Sequence, residues 1–275
     1  MKRSAPPARN PALDALRGLA VLWMTAYHFA FDLNHFGLIR QDFYTDPVWT
    51  VQRTCILGLF LLCAGAGQAM AVASGQSWRG FWRRWSQIAG CAVLVSAGSY
   101  FMFPNSWIYF GVLHGMAVML VVCRLTAGWG HGLWLAGAVA VALGQWGPQL
   151  HALWPAAEVF NGQALNWLGL VSRKPITEDY VPLLPWMGVM WWGMAAAQLA
   201  LACGWLQPMQ QRSVGAQGSR RAVPKEPSPL GGQRPAQRRS VGAYFSLALV
   251  GRWSLSWYMV HQPLLIGLLT LWRAV

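Results

Sequence analysis

Three features of the sequence predict an all-α, polytopic integral membrane bundle of about seven transmembrane helices. Of 275 residues, 55% are hydrophobic and only 11% are charged, whereas globular domains usually carry about 25% charged residues. The few charges are lopsided, with 21 Lys+Arg against 8 Asp+Glu and a formal net charge of +13. Apolar runs near the roughly 20 residues needed to cross a bilayer recur along the chain. Disorder is excluded by the apolar content. The 5 Cys sit in or beside apolar runs and read as small buried hydrophobes rather than a disulfide framework.

The first run, residues 15–31, is entered through Asn10 and Pro11, a cap residue and a helix-starting proline. Lys2, Arg3 and Arg9 before it imitate a secretory signal. No small-residue cleavage site follows, so the run is expected to be an uncleaved first span. Further runs cover residues 55–72, 85–103, 107–122, 133–146, 183–203 and 253–272. Gly and Pro inside several of them suit membrane spans better than soluble core helices. The run at 133–146 is the shortest, either a full crossing or a re-entrant element. Residues 147–181 form a long outer connection, whose amphipathic stretch 164–171 is expected on the membrane surface or over the bundle mouth. Residues 204–243 are rich in Gly, Pro, Gln, Ser and Arg and nearly repeat Gln211–Ala216 as Gln237–Ala243. That composition predicts a flexible basic cytoplasmic linker inside one transmembrane domain spanning 1–275.

With the N-terminus cytoplasmic, alternation places 16 of the 21 Lys+Arg inside and leaves charges near +14 inside and −1 outside. Positive charge held in inner loops is what orientation requires, and it removes the nucleic-acid reading. Trp49, Trp78, Trp82, Trp85, Trp107, Trp129, Trp205 and Trp272 lie near predicted span ends, as an interfacial belt should. The expected placement is integral, with the N-terminus cytoplasmic and the C-terminus outside.

Ionisable groups inside membrane segments are costly and therefore candidates for function. His28 and Asp32 are spaced i,i+4 on one helical face, where the carboxylate can orient the imidazole as a general base. The alternative is an interfacial histidine bonded between helices. His35 follows in the first outer loop, and His114 sits near the outer end of the fourth run, so three histidines and a carboxylate are expected to converge near the outer leaflet. His261, beside Pro263, either lines the same cavity or bonds between helices. No tight ligand spacing supports a metal, and none is expected. On the inner side Arg79, Arg83 and Arg84 form a basic aromatic stretch, joined by Arg17 and Arg252 at the inner ends of the first and last runs. Such arginines suit phosphate binding, and they are equally what topology demands.

Several segments carry a resemblance. Leu13-Asp14-Ala15-Leu16-Arg17-Gly18-Leu19-Ala20, Tyr27-His28-Phe29, Tyr109-Phe110-Gly111-Val112-Leu113-His114, Asp179-Tyr180-Val181-Pro182-Leu183-Leu184-Pro185-Trp186 and His261-Gln262-Pro263 together resemble the heparan-α-glucosaminide N-acetyltransferase catalytic-domain family, in its bacterial membrane branch. The resemblance implies a multi-helix membrane acyltransferase of the bacterial inner membrane. It would take acetyl from cytoplasmic acetyl-CoA and deliver it to an amino sugar or envelope glycan on the outer side. His28 would be the base with Asp32 orienting it, His114 would position a substrate, and Arg17, Arg79, Arg83, Arg84 and Arg252 would contact CoA phosphates. Its partners would be acyl-CoA, the glycan acceptor and the bilayer, with no nucleic acid; a homodimer is open to it. At the position of His28 the lysosomal enzymes carry Asn, and their catalytic His lies further along the following loop than His35, so either His28 takes over the base role or His35 fills it through a different loop path. The alternative function is a transporter or flippase for an anionic metabolite or lipid-linked sugar, using the same polar path without chemistry.

Overall fold

A computed structural model describes residues 10–206 and 246–274. The linker expected at 204–243 lies almost wholly outside the described residues. Those residues are helical, without a strand among them, as the sequence predicts. In order the helices are α1 (Pro11–His35), α2 (Pro47–Ala73), α3 (Trp78–Met102), α4 (Val112–Leu125), α5 (Gly132–Gly144), α6 (Gly147–Leu153), α7 (Leu183–Ala202) and α8 (Ser254–Ala274).

Every predicted apolar run contains a helix, but not every helix has the expected span. Among the described residues one, α2, is long and apolar enough to cross a membrane by length and composition. The 13 residues of α5 rise only about 20 Å, short of the roughly 30 Å hydrocarbon core. The fourth run also begins later than expected. Residues 107–111 are not helical; Phe110 instead makes an isolated parallel bridge with Tyr180, and α4 starts only after Gly111.

The chain divides into two compact units, one built from the segments up to Ile56 and from Ala200 onward, the other from Leu57–Leu199. In the first, Asn10 accepts from the amides of Ala12 and Leu13 and opens α1. Beyond its far end, Phe43 (1% exposed) stacks on Trp49 at 4.1 Å and meets Tyr27 edge-on. The loop that carries Phe43 is folded by Asp42, which accepts from the amides of Tyr44 and Thr45, each at 2.9 Å, and from the Thr45 hydroxyl. These bonds hold the exposed Asp42 carboxyl below the usual carboxylate range, the Thr45 hydroxyl contributing most.

The same unit pairs α1 with the C-terminal helical segment in parallel. A Cβ on Gly18 would overlap the Leu247 carbonyl oxygen, and one on Gly251 would overlap that of Asp14. Two glycines thus let the backbones touch, which is how helices associate where lipid removes the hydrophobic drive. Further along, the Trp257 indole donates to Thr25 Oγ1 at 2.8 Å.

In the second unit, α3 packs on α4, with the Trp85 indole donating to the Ala117 carbonyl at 2.9 Å. The Trp191 indole and the Gln198 amide donate to Thr126 and Ala127, joining α7 to the turn after α4. Met187, Met190 and Met194 are buried along α7. The stretch expected at 164–171 forms a short turn, Asn166–Leu168.

Candidate functional site

The α1–α8 pairing brings four polar side chains together in the first unit. His28 Nδ1 lies 2.7 Å from His261 Nε2, and the two rings stack with centroids 5.0 Å apart. On its other side His261 Nδ1 faces two backbone carbonyls, Tyr258 at 2.9 Å and Trp257 at 3.1 Å. Carbonyl oxygens only accept, so Nδ1 of His261 carries the hydrogen and Nε2 of a neutral ring is bare. It follows that His28 donates through Nδ1 and keeps the lone pair on Nε2. The backbone of α8 thereby sets the tautomer of a side chain on α1.

The next step along the helix pair is Asp32 with Gln262. Asp32 is buried at 3% exposure, and its Oδ1 accepts from Gln262 Nε2 at 2.7 Å. The expected Asp32–His28 hydrogen bond is not made. Each residue finds its partner on α8 instead, His28 on His261 and Asp32 on Gln262. His35 is exposed at the end of α1, about two turns beyond His28.

His114 belongs to the second unit, at the third position of α4. Its Nδ1 accepts from the Gly111 amide at 3.3 Å, and its Nε2 donates to Ser96 Oγ at 3.0 Å. Ser96 in turn donates to the Ile108 carbonyl at 2.7 Å. Both ring nitrogens are therefore engaged within the protein. His114 thereby ties the start of α4 to α3.

Beside it lies a cluster that the sequence reading did not single out. Asp179 Oδ2 accepts from the Val112 amide at 2.7 Å, and a Cβ at Gly111 would overlap that carboxylate. Buried Asn166 donates to the Tyr109 hydroxyl at 2.7 Å, and the Tyr180 hydroxyl donates to the Asn166 carbonyl at 2.6 Å. Burial raises the Tyr180 phenol well above its usual value, with Tyr109 adding to it. The segments Tyr109–His114 and Asp179–Trp186 stood out separately in the sequence; their contact was the missing information.

The arginines divide between the units. Arg17 pairs with buried Asp14 at 3.0 Å, and Arg252 is exposed beside Gly251, at the same end of the helix pair. Arg79, Arg83 and Arg84 are exposed on the first turns of α3. Arg124, absent from the sequence-based candidates, donates to the Gln76 carbonyl at 2.6 Å and lies 4.9 Å over the Trp78 ring. Among the described residues no group of His, Cys, Asp and Glu is arranged to hold a metal.

Residues 9–223 match the family model for heparan-alpha-glucosaminide N-acetyltransferase, catalytic. The chain belongs to this family. Its members are membrane-associated acetyltransferases. No curated protein and no solved structure matches the chain.

Proposed function

We propose that the chain is a polytopic membrane acyltransferase of the bacterial inner membrane. It moves an acetyl group from cytoplasmic acetyl-CoA to an amino sugar or envelope glycan on the outer side. The carrying observation is the His28–His261 pair, which leaves His28 Nε2 as a bare nitrogen on a ring held by hydrogen bond and stacking. A general base needs that lone pair and a fixed direction. In the reaction, Nε2 takes a proton from the acceptor nitrogen or oxygen as that atom attacks the thioester carbonyl carbon. The carbon–sulfur bond then breaks, and CoA leaves as a thiolate that is reprotonated to the thiol.

Seven crossings with a cytoplasmic N-terminus fit two further facts. The parallel run of α1 and α8 is what an odd number of crossings requires. Large apolar side chains such as Val93, Leu94, Leu135 and Leu271 point outward from their helices at 64–70% exposure, a surface that lipid would cover. On this reading Arg17, Arg79, Arg83, Arg84 and Arg252 face the cytoplasm as contacts for CoA phosphates, and 204–243 is a cytoplasmic linker. Asp32, His35 and His114 serve the same domain as a substrate contact, an outer-loop group and a helix tie.

The test is transfer of labelled acetyl from acetyl-CoA to a panel of amino sugars by the full chain in detergent. Label on the sugar is the expected result. Absence of both CoA binding and transfer would overturn the enzyme reading in favour of the transporter.

A further inference from the structure

Arg124, on the last turn of α4, reaches across to the turn between α2 and α3. One of its nitrogens donates to the Gln76 carbonyl at 2.6 Å, and the guanidinium lies 4.9 Å over the Trp78 ring and 6.0 Å over that of Phe81. The group is therefore fixed from one side, yet a guanidinium has five N–H donors in a planar fork. Neither a carbonyl nor a ring supplies a negative charge. Among the described residues no carboxylate stands within ion-pair distance of Arg124. The three carboxylates of this unit, Glu158, Glu178 and Asp179, all fall in the connection between α6 and α7. Asp179 bonds the opposite end of α4, at Val112. A half-buried cation without an anion is costly to keep.

The surroundings of Arg124 indicate the kind of anion. Trp78 and Trp82 stack at 6.2 Å and stand 46% and 44% exposed. Leu125, the neighbour of Arg124, is exposed as well. Arg79 and Arg83, exposed on the same turns of α3, add positive charge. A soluble anion would satisfy the cation and leave this apolar surface bare. A phospholipid covers both, because indoles sit where headgroups meet acyl chains.

We infer that Arg124 and the Trp78–Trp82 face form a site for an anionic phospholipid of the cytoplasmic leaflet. The phosphodiester oxygens accept from the guanidinium N–H groups that Gln76 does not use, and an acyl chain lies along the two indoles. The bound lipid holds the α2–α3 turn against the end of α4. This rests on the membrane placement and orientation proposed above, not on acetyl transfer.

The experiment compares retention of phosphatidylglycerol and phosphatidylcholine by the full chain in neutral detergent, read by native mass spectrometry. Wild type should prefer phosphatidylglycerol and gain a higher thermal midpoint from it than from phosphatidylcholine. Arg124→Gln keeps an N–H for the Gln76 carbonyl but loses the charge. Its preference should fall about 5-fold, with acetyl-CoA affinity unchanged. Arg173→Gln, which removes a cation paired with Glu158 in the α6–α7 connection, should keep the preference. Photoreactive phosphatidylglycerol should label wild type within residues 78–85 and 122–125. A wild type without preference would overturn the inference, as would equal losses in the two variants or label confined to other segments. A parallel loss of acetyl-CoA affinity in Arg124→Gln would overturn it too, by giving the arginine to the CoA phosphates. Selective lipid retention that depends on Arg124, in a chain that binds no acetyl-CoA, would uphold the site and remove the acyltransferase reading.

Discussion

At His28 the proposed chemistry depends on which ring nitrogen carries hydrogen, and the carbonyls of Trp257 and Tyr258 decide it through His261. Removing His261 leaves His28 free to exchange tautomers and to rotate. His261→Ala is expected to lower kcat by about 10-fold or more while acetyl-CoA KM moves little, and His261→Gln, which can still accept, should recover part of the loss. The spacing of His28 and Asp32 was legible because four residues make one helical turn. Their partners were not, because they lie 233 and 230 residues away in sequence and no local pattern reports such a pairing. His114 was legible as a polar group at a helix start, but its satisfaction by Ser96 and Gly111 depends on how α3 meets α4. Asp42 gives a separate residue-scale prediction. Its carboxyl is held below the usual range, so its bonds are intact at neutral pH and are lost only as pH falls through that lowered value. Amide exchange at Tyr44 and Thr45 should stay slow through mildly acidic pH, and Asp42→Ala should make it fast at neutral pH.

Among the elements, the α1–α8 contact determines whether a histidine pair exists. It depends on Gly18 and Gly251, where any side chain meets backbone rather than a movable side chain. Gly18→Val is expected to cost about 1–3 kcal/mol of stability, read as a lower thermal midpoint, and to abolish activity by separating His28 from His261. A Gly18→Val protein with unchanged midpoint and activity would refute the close contact. The sequence read the apolar runs well because each is a helix whose length sets its hydrophobic stretch. It read the fourth run less well, since Trp107–Gly111 is as apolar as a helix but is drawn into pairing with 177–181.

Across the whole molecule, the excess of positive charge becomes a statement about sidedness. If the inner loops hold the arginines, a single cysteine placed at Gly75 in a chain otherwise free of cysteine should resist a membrane-impermeant thiol reagent in intact cells. One placed at Thr45 should react. Reaction at both or neither would overturn the orientation proposed. The exposed apolar side chains on several helices ask for lipid, and composition alone forecast that. Composition said nothing of the proposed chemistry.

The most direct measurement is the rate of acetyl transfer by wild type, His28→Ala and His35→Ala. The proposed mechanism predicts a fall of about 10²- to 10⁴-fold for His28→Ala, the usual contribution of a general base, and near wild-type transfer for His35→Ala. Transfer that survives His28→Ala but is lost in His35→Ala would contradict it.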